Sequence, residues 1–372
     1  MDSDTATSES GPDRVPGDEG GDQMLVVYSL RHRLHHPERE VEGGLLQEPY
    51  EHPGRAEIIR STLSADGGFA FIAPDEFGIE PIHAVHDPGL VAFLETAWFE
   101  HQRLHGPVHD VVPDVFSHPS LREGMEPTGE PEAHGAKLGY WCFETTTPIT
   151  RGTYEAARSS VNVALTAADL VLGGERVVYG LCRPPGHHAT RRSYGGYCFF
   201  NNAAIVAHHV RERTGAKVAV LDIDYHHGNG TQQIFYGRED VFVASLHADP
   251  SYAYPYFTGS RDENGTGVGT GANLNYPLPK GTGDDAFLAV LADACDTIRR
   301  AGANSLVVSL GLDTYFDDPI SDFTLTPDGF ERCGALVAQL ALPTVVLQEG
   351  GYATDALGTN AQRWLNGLSA AP

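Results

Sequence analysis

Residues 217–232 read KVAVLDIDYHHGNGTQ, and the first seven of them decide the fold class. KVAVLDI is nearly continuous in apolar and β-branched side chains, where a strand with one wet face would alternate, so it reads as a strand buried on both faces. Four other runs have the same character: VVYGLC at 177–182, DVFVASL at 240–246, SLVVSLG at 305–311 and TVVLQ at 344–348. Between them lie amphipathic stretches of helical spacing at 154–172, 202–214 and 284–301. Buried strands alternating with helices imply an α/β domain with a mainly parallel sheet and helices on both faces. Such a sheet leaves a crevice open along the carboxyl ends of its strands. Each polar cluster considered below follows one of these runs, so all of them are expected at that one edge.

The remaining sequence bounds the possibilities. The 372 residues carry 25 Lys and Arg against 50 Asp and Glu, a formal net charge of −25. That surface repels nucleic acid and favours a cationic substrate, although it also serves plain solubility. The five cysteines stand far apart with no CxxC pair, which points away from a disulfide framework and from a thiolate metal site. No apolar run approaches the roughly 18 residues of a membrane span, and the N-terminus lacks the basic and apolar regions of a signal peptide. A cytoplasmic protein with no membrane partner is expected. Residues 1–22 are polar, acidic and rich in Gly, Pro and Ser, and are expected to form a disordered acidic tail. Residues 23–372 are expected to fold as a single domain, with 101–138 as one long loop insertion lacking clear periodicity.

The polar clusters suggest a metal site. Asp224 and His226 stand two apart directly after a strand, so in extended geometry both side chains point the same way. A lone Asp-x-His is common. Asp313 ends another buried run, where an unpaired acid would not be tolerated; it is either salt-bridged or a third ligand. Two acids and one imidazole suit Zn²⁺ with one position left for water. RPPGHHA at 183–189 offers adjacent His187 and His188 on a rigid loop. They are ligands, packing residues, or, beside a metal-activated water, a general base and a general acid. Each then needs its far ring nitrogen held, and Asp222 and Asn229 are the available acceptors. QEGGYAT at 348–354 brings Tyr352 to the same edge, either as packing or as a hydroxyl donor to an oxyanion. There is no GxSxG elbow and no phosphate-binding loop, and GTGVGTG at 265–271 fits neither glycine fingerprint.

RPPGHHA, GGYCFFNNAA at 195–204, LDIDYHHGNGTQ, SLGLDT at 309–314 and EGGY at 349–352 occur in an order that closely resembles the histone deacetylase superfamily, over about residues 24–368. VHDPGLVAFLETAW at 85–98 and GYWCFETTTPITRGTYEAA at 139–157 look most like its bacterial acetylpolyamine amidohydrolase branch. The resemblance implies the arginase/deacetylase α/β fold, with a sheet of about eight strands. It implies zinc on Asp224, His226 and Asp313, catalytic Tyr352, His187 paired with Asp222, and His188 paired with Asn229. Gly196 and Tyr197 would line the acyl channel, with Glu144 as a further candidate for contact with substrate. A structural potassium ion is implied at Asp222, Asp224, His226, Ser245 and Leu246.

The implied reaction is zinc-dependent hydrolysis of an acetyl amide to acetate and a free amine. The substrate would be a small cationic acetylated amine, most simply an acetylpolyamine, and the enzyme a homodimer. In this reading the 101–138 insertion lies near the active-site mouth, and Asp110, Asp114, Glu123, Glu126, Glu130 and Glu132 meet the substrate's amines. The alternatives are a deacetylase of acetyl-lysine peptides or other acetylated amines, an arginase-like manganese hydrolase, and a non-catalytic acetyl-amide binding protein. An arginase-like site would want bridging acids where this chain has Tyr225, His227 and Gly228.

Overall fold

The computed structural model describes residues 23–126 and 129–370, so the expected tail at 1–22 lies outside the described residues. The chain opens with β1 (Met24–Val27), the hairpin strands β2 (Glu40–Glu42) and β3 (Leu45–Gln47), α1 (Gly54–Ser64) and β4 (Phe69–Ile72). Helices α2 (Glu80–Val85), α3 (Pro88–His105), α4 (His134–Trp141) and α5 (Thr153–Leu172) lead to β5 (Val177–Gly180). Then come α6 (Asn202–Thr214), β6 (Val218–Asp222), α7 (Asn229–Phe235), β7 (Val241–Ala248) and β8 (Asn273–Leu278). The chain closes with α8 (Asp284–Ala301), β9 (Ser305–Leu310), α9 (Pro327–Ala338), β10 (Thr344–Gln348) and α10 (Thr354–Ser369).

Eight strands form one sheet in the order β4-β1-β5-β10-β9-β6-β7-β8, every neighbouring pair parallel. β2 and β3 pair antiparallel, as a separate hairpin. The last strand in sequence, β10, lies in the middle of the sheet between β5 and β9. This is the α/β architecture expected from the buried runs.

Alternation along each strand divides the core in two. Ala219 and Leu221 of β6 pack with Ile59, Phe287, Phe330 and Trp364 of α1, α8, α9 and α10, whereas Val218 and Val220 pack on the other face with Leu94, Val161 and Ile205 of α3, α5 and α6. Both faces of the central strands are therefore dry, which is why their sequences do not alternate. Helix ends follow their signals. The Asp87 side chain accepts from Gly89 N to cap α3, with Pro88 in its first turn, and Asn201 accepts from Ala204 N to cap α6. No helix among the described residues is long and apolar enough to cross a membrane, and all five cysteines are buried free thiols.

The insertion is shorter at both ends than the 101–138 expected. Residues up to His105 complete α3, and α4 begins at His134. The mixed His and charged composition hid the fact that Trp98 and Gln102 of α3 fix the following turn, through bonds to His109 O and Val108 O. The insertion also touches the hairpin segment: Asp110 accepts from the backbone N–H groups of Glu38 and Arg39 at 3.0 and 2.8 Å.

Candidate active site

Four adjacent strands, β5, β10, β9 and β6, release at their carboxyl ends the loops that carry the polar clusters. His187 and His188 follow β5, Tyr352 follows β10, Asp313 follows β9, and Asp222 to Asn229 span the end of β6 and the start of α7. The fold thus converts residues up to 165 positions apart in sequence into neighbours along one edge.

Asp224, His226 and Asp313 offer ligand atoms that all lie within 4.8 Å of one another. His226 Nδ1 is 3.0 Å from Asp313 Oδ2 and 3.3 Å from Asp224 Oδ1. The acids are aimed by the backbone: Asp224 Oδ2 accepts from Gly350 N at 2.8 Å, and Asp313 Oδ1 from Tyr225 N at 2.9 Å. Gly350 has to be glycine, because a Cβ there would lie 2.5 Å from carboxylate oxygens of both Asp224 and Asp313. Burial, then the charge of Asp224, pushes the Asp313 carboxyl up to about 6. Burial alone would lower His226, but Asp224 and Asp313 outweigh it and push it up to about 9. The cluster is short of positive charge, and a cation would supply it.

The two histidines differ in their partners. His187 Nδ1 lies 3.0 Å from Asp222 Oδ2, and His188 Nδ1 lies 2.6 Å from Asn229 Oδ1. Asn229 is oriented in turn by its Nδ2, which donates to His188 O at 3.3 Å. Both Nδ1 atoms are thereby committed, and the Nε2 atoms remain for chemistry. Burial lowers both rings. For His187 the charges of Asp224 and Asp222 outweigh it and hold the ring well above its ordinary value. For His188, burial together with His187 and His226 holds the ring well below. The two imidazoles, pushed in opposite directions, stand side by side with centroids 4.0 Å apart.

Tyr352 is 8 % exposed, with the Arg55 guanidinium 4.5 Å from its ring centroid and the Tyr197 ring 5.8 Å away. Its backbone N–H donates to Asp318 Oδ2 at 2.7 Å. Burial holds its phenol well above the usual range, so it is a neutral O–H donor. Tyr197 sits at φ +65°, a conformation costly for a bulky residue, and its N–H donates to Thr147 Oγ1 at 2.7 Å. Its neighbour Gly196, at φ +58°, packs so closely on the His188 ring that a Cβ would collide with it. Glu144 ties the channel to the chain: its oxygens accept from Gly196 N at 3.0 Å and from Thr146 and Thr147.

Of the residues expected around a potassium ion, Asp222 lies opposite Ser245 in the β6–β7 register, with Leu246 next along β7. Asp222 belongs to neither of the two His, Cys, Asp or Glu clusters found among the described residues, and Ser245 Oγ is 2.8 Å from His247 Nδ1. His227 turns away from the site toward Thr258 and Gln232.

Sequence reasoning missed several residues. The Tyr254 ring stands 5.0 Å from that of His188 and 6.0 Å from that of His226. YAYPYF at 252–257 follows β7 at the same sheet edge, and that position could have flagged it. Glu40, buried on the hairpin, lies 3.4 Å from the Tyr197 hydroxyl and is pushed up to about 7 by burial. Arg55 donates to Gly351 O at 2.6 Å and to Glu349 O at 2.8 Å, bracing the Tyr352 loop from 296 positions away.

With this geometry established, comparison with known proteins is specific. Residues 49–368 match the histone deacetylase domain. The chain is 45% identical over 345 residues to acetylpolyamine amidohydrolase 2 of Pseudomonas aeruginosa, covering 93% of this chain and 98% of that one. It is 41% identical to the acetylpolyamine amidohydrolase of Mycoplana ramosa over 93% of this chain and all of that one. The crystal structure of an acetylpolyamine aminohydrolase from Burkholderia pseudomallei superposes with a TM-score of 0.86 at 40% identity, covering 94% of this chain and 99% of that one.

Proposed function

The chain belongs to the histone deacetylase family, and from that membership we propose that it is a zinc-dependent amidohydrolase that cleaves the acetyl amides of small polyamines into acetate and free amine. The observation that carries the reading is the convergence of Asp224, His226 and Asp313 on the edge that also holds both histidine pairs and Tyr352.

The donor set fits zinc. One imidazole nitrogen lies 3.0 and 3.3 Å from two carboxylate oxygens, close to the roughly 3.3 Å edge of a tetrahedron with bonds of about 2.0 Å. When bound, zinc supplies a Lewis acid for the acetyl carbonyl and a lowered pKa for water.

The chain's own groups supply the proton chemistry. His188 donates its Nδ1–H to Asn229, so its Nε2 lone pair is the base that takes a proton from the attacking water. Water's oxygen bonds to the acetyl carbon, the C–N bond breaks, and the same proton is delivered to the departing amine nitrogen. His187, anchored on Asp222 through Nδ1, points its Nε2 side at the same carbonyl, and the carboxylate behind it favours the protonated ring that would face the developing negative charge. The Tyr352 hydroxyl donates to the developing oxyanion.

Support for a polyamine comes from the names of the relatives and from the acidic surface, which draws slender cations. The reading also includes a homodimer in the cytoplasm and a structural potassium ion beside Asp222. Carboxylate, hydroxyl and main-chain oxygens at Asp222, Asp224, Ser245 and Leu246, together with the backbone of His226, are the hard donors such an ion prefers. Acetate release is to be measured on acetylputrescine, acetylspermidine and acetyl-lysine peptides with zinc-reconstituted protein, and the expected order puts the polyamines first. No release from any acetyl amide would leave a binding protein, and peptides cleaved as fast as polyamines would remove the polyamine assignment.

A further inference from the structure

We propose that Glu349 is a positioning residue whose side chain sets the separation between the loop carrying His187 and His188 and the loop carrying Tyr352. It is the first residue past β10, which lies directly beside β5 in the sheet. Its Oε2 accepts from Gly186 N at 2.6 Å and from His187 N at 3.2 Å. Among the described residues these two are the only hydrogen bonds joining segment 181–201 to segment 349–353.

The carboxyl group is a fixed post. Glu349 is 1 % exposed, its N–H donates to Leu310 O at 2.9 Å, and its carbonyl accepts from Arg55 Nη2 at 2.8 Å. One residue on, Gly350 N donates to Asp224 Oδ2 at 2.8 Å, so the same short turn also aims a candidate ligand. A carboxylate oxygen of Glu349 lies within 4.8 Å of a ring nitrogen of His187 and of Cys198 Sγ, in the buried space beside that ring. Its Oε1 has no hydrogen-bond partner among the described residues. Hydrolysis of an acetyl amide needs the base and the oxyanion donor on the same carbonyl, and a misplacement of about 1 Å can cost on the order of a hundredfold in rate. One side chain spanning both loops fixes that distance directly.

Three variants test the brace. Glu349→Gln keeps the length and an accepting oxygen. Glu349→Asp keeps a carboxyl group but withdraws the acceptor by about 1.5 Å. Glu349→Met keeps length and volume with no acceptor, so either of the last two decides the matter if the other fails to fold. With zinc-loaded protein and acetylputrescine, Gln should stay within about threefold of wild type, while Asp and Met lose about a hundredfold in kcat at unchanged KM and metal content. This kinetic arm rests on the hydrolase reading, so amide hydrogen exchange at Gly186 and His187 is measured alongside it. Exchange there should accelerate more than about tenfold in Asp and Met but not in Gln, with Val346 of β10 as the internal reference for global opening. Wild-type protein that turns over no acetyl amide would defeat the hydrolase reading and leave exchange to decide the brace. Asp and Met with wild-type kcat and protection, Gln as impaired as Asp, or a loss confined to KM would each overturn it.

Discussion

Replacing Tyr352 by Phe removes one oxygen and leaves the surroundings of that residue in place. The Arg55 guanidinium stays 4.5 Å from the ring centroid, the Tyr197 and Tyr50 rings stay 5.8 and 6.4 Å away, and the backbone N–H keeps Asp318. The hydroxyl has no hydrogen-bond partner among the described residues, so stability should change by less than about 0.5 kcal/mol. The effect falls on the transition state, where loss of one oxyanion donor costs about 10²–10³ in kcat, or about 2.7–4 kcal/mol. Burial keeps the phenol protonated far above neutrality, so the deficit should not vary between pH 6 and pH 9, roughly the range in which such assays run. Steady-state acetate release from acetylputrescine gives kcat and KM, and a thermal melt and metal analysis accompany it. A kcat within about threefold of wild type, or a deficit seen in KM alone, would make Tyr352 a packing residue and refute the mechanism.

Chelator-treated, reconstituted protein should hold one zinc per chain at the Asp224, His226 and Asp313 cluster, and Asp313→Asn should lose it; full activity without a transition metal, or a strict need for two, would refute the site. Acetylputrescine and acetylspermidine should be cleaved better than acetylated histone tails, with a preference that weakens as salt rises and falls when the 106–133 segment is removed; equal rates in the intact protein would sink the idea of a narrow entrance. Glu51→Ala should cost about 3–5 kcal/mol in urea denaturation, since it leaves the buried Arg183 and Arg55 guanidiniums without their shared carboxylate. Burial alone would raise the Glu51 carboxyl, but Arg183 and Arg55 bring it from 4.5 down to about 2. A depressed folded value means stability that is present above pH 4.5 and lost as pH falls toward 2, worth roughly 3 kcal/mol; Glu51→Gln should lack that part of the acid-induced fall in Tm, and an identical acid limb would refute the assignment.

The central strands were legible because two dry faces leave no room for alternation, and β5, β6, β7, β9 and β10 fall on the five runs read from sequence. The three other strands of the main sheet, β1, β4 and β8, lie away from that centre. β4 and β8 form the two edges, and β8 (NLNYPL) carries Asn273 and Asn275, whose amides donate to Gln232 Oε1, so its buried polar side chains disguise a strand. The polar clusters were legible because each closes a buried run. What could not be read was contact across the sequence: nothing near Arg55 announces Gly351, and nothing within EGGY announces that Glu349 reaches the histidine loop. Glu144 shows the same limit: its place beside the channel was legible, but its bonds to two threonine hydroxyls and a glycine N–H were not.

The place of β10 has a consequence for synthesis. A chain released only as far as residue 343 contains β4-β1-β5 and β9-β6-β7-β8 but not the strand that joins them. The histidines belong to the first half-sheet, and Asp224, His226 and Asp313 to the second. Until residues 344–348 slot between β5 and β9, each half shows an open edge and a part-covered apolar face, the features by which unfinished chains aggregate or are captured by chaperones. A chain cut before residue 344 should therefore fail to bring the histidine loop and the Asp224, His226 and Asp313 cluster together, although it contains every one of those residues.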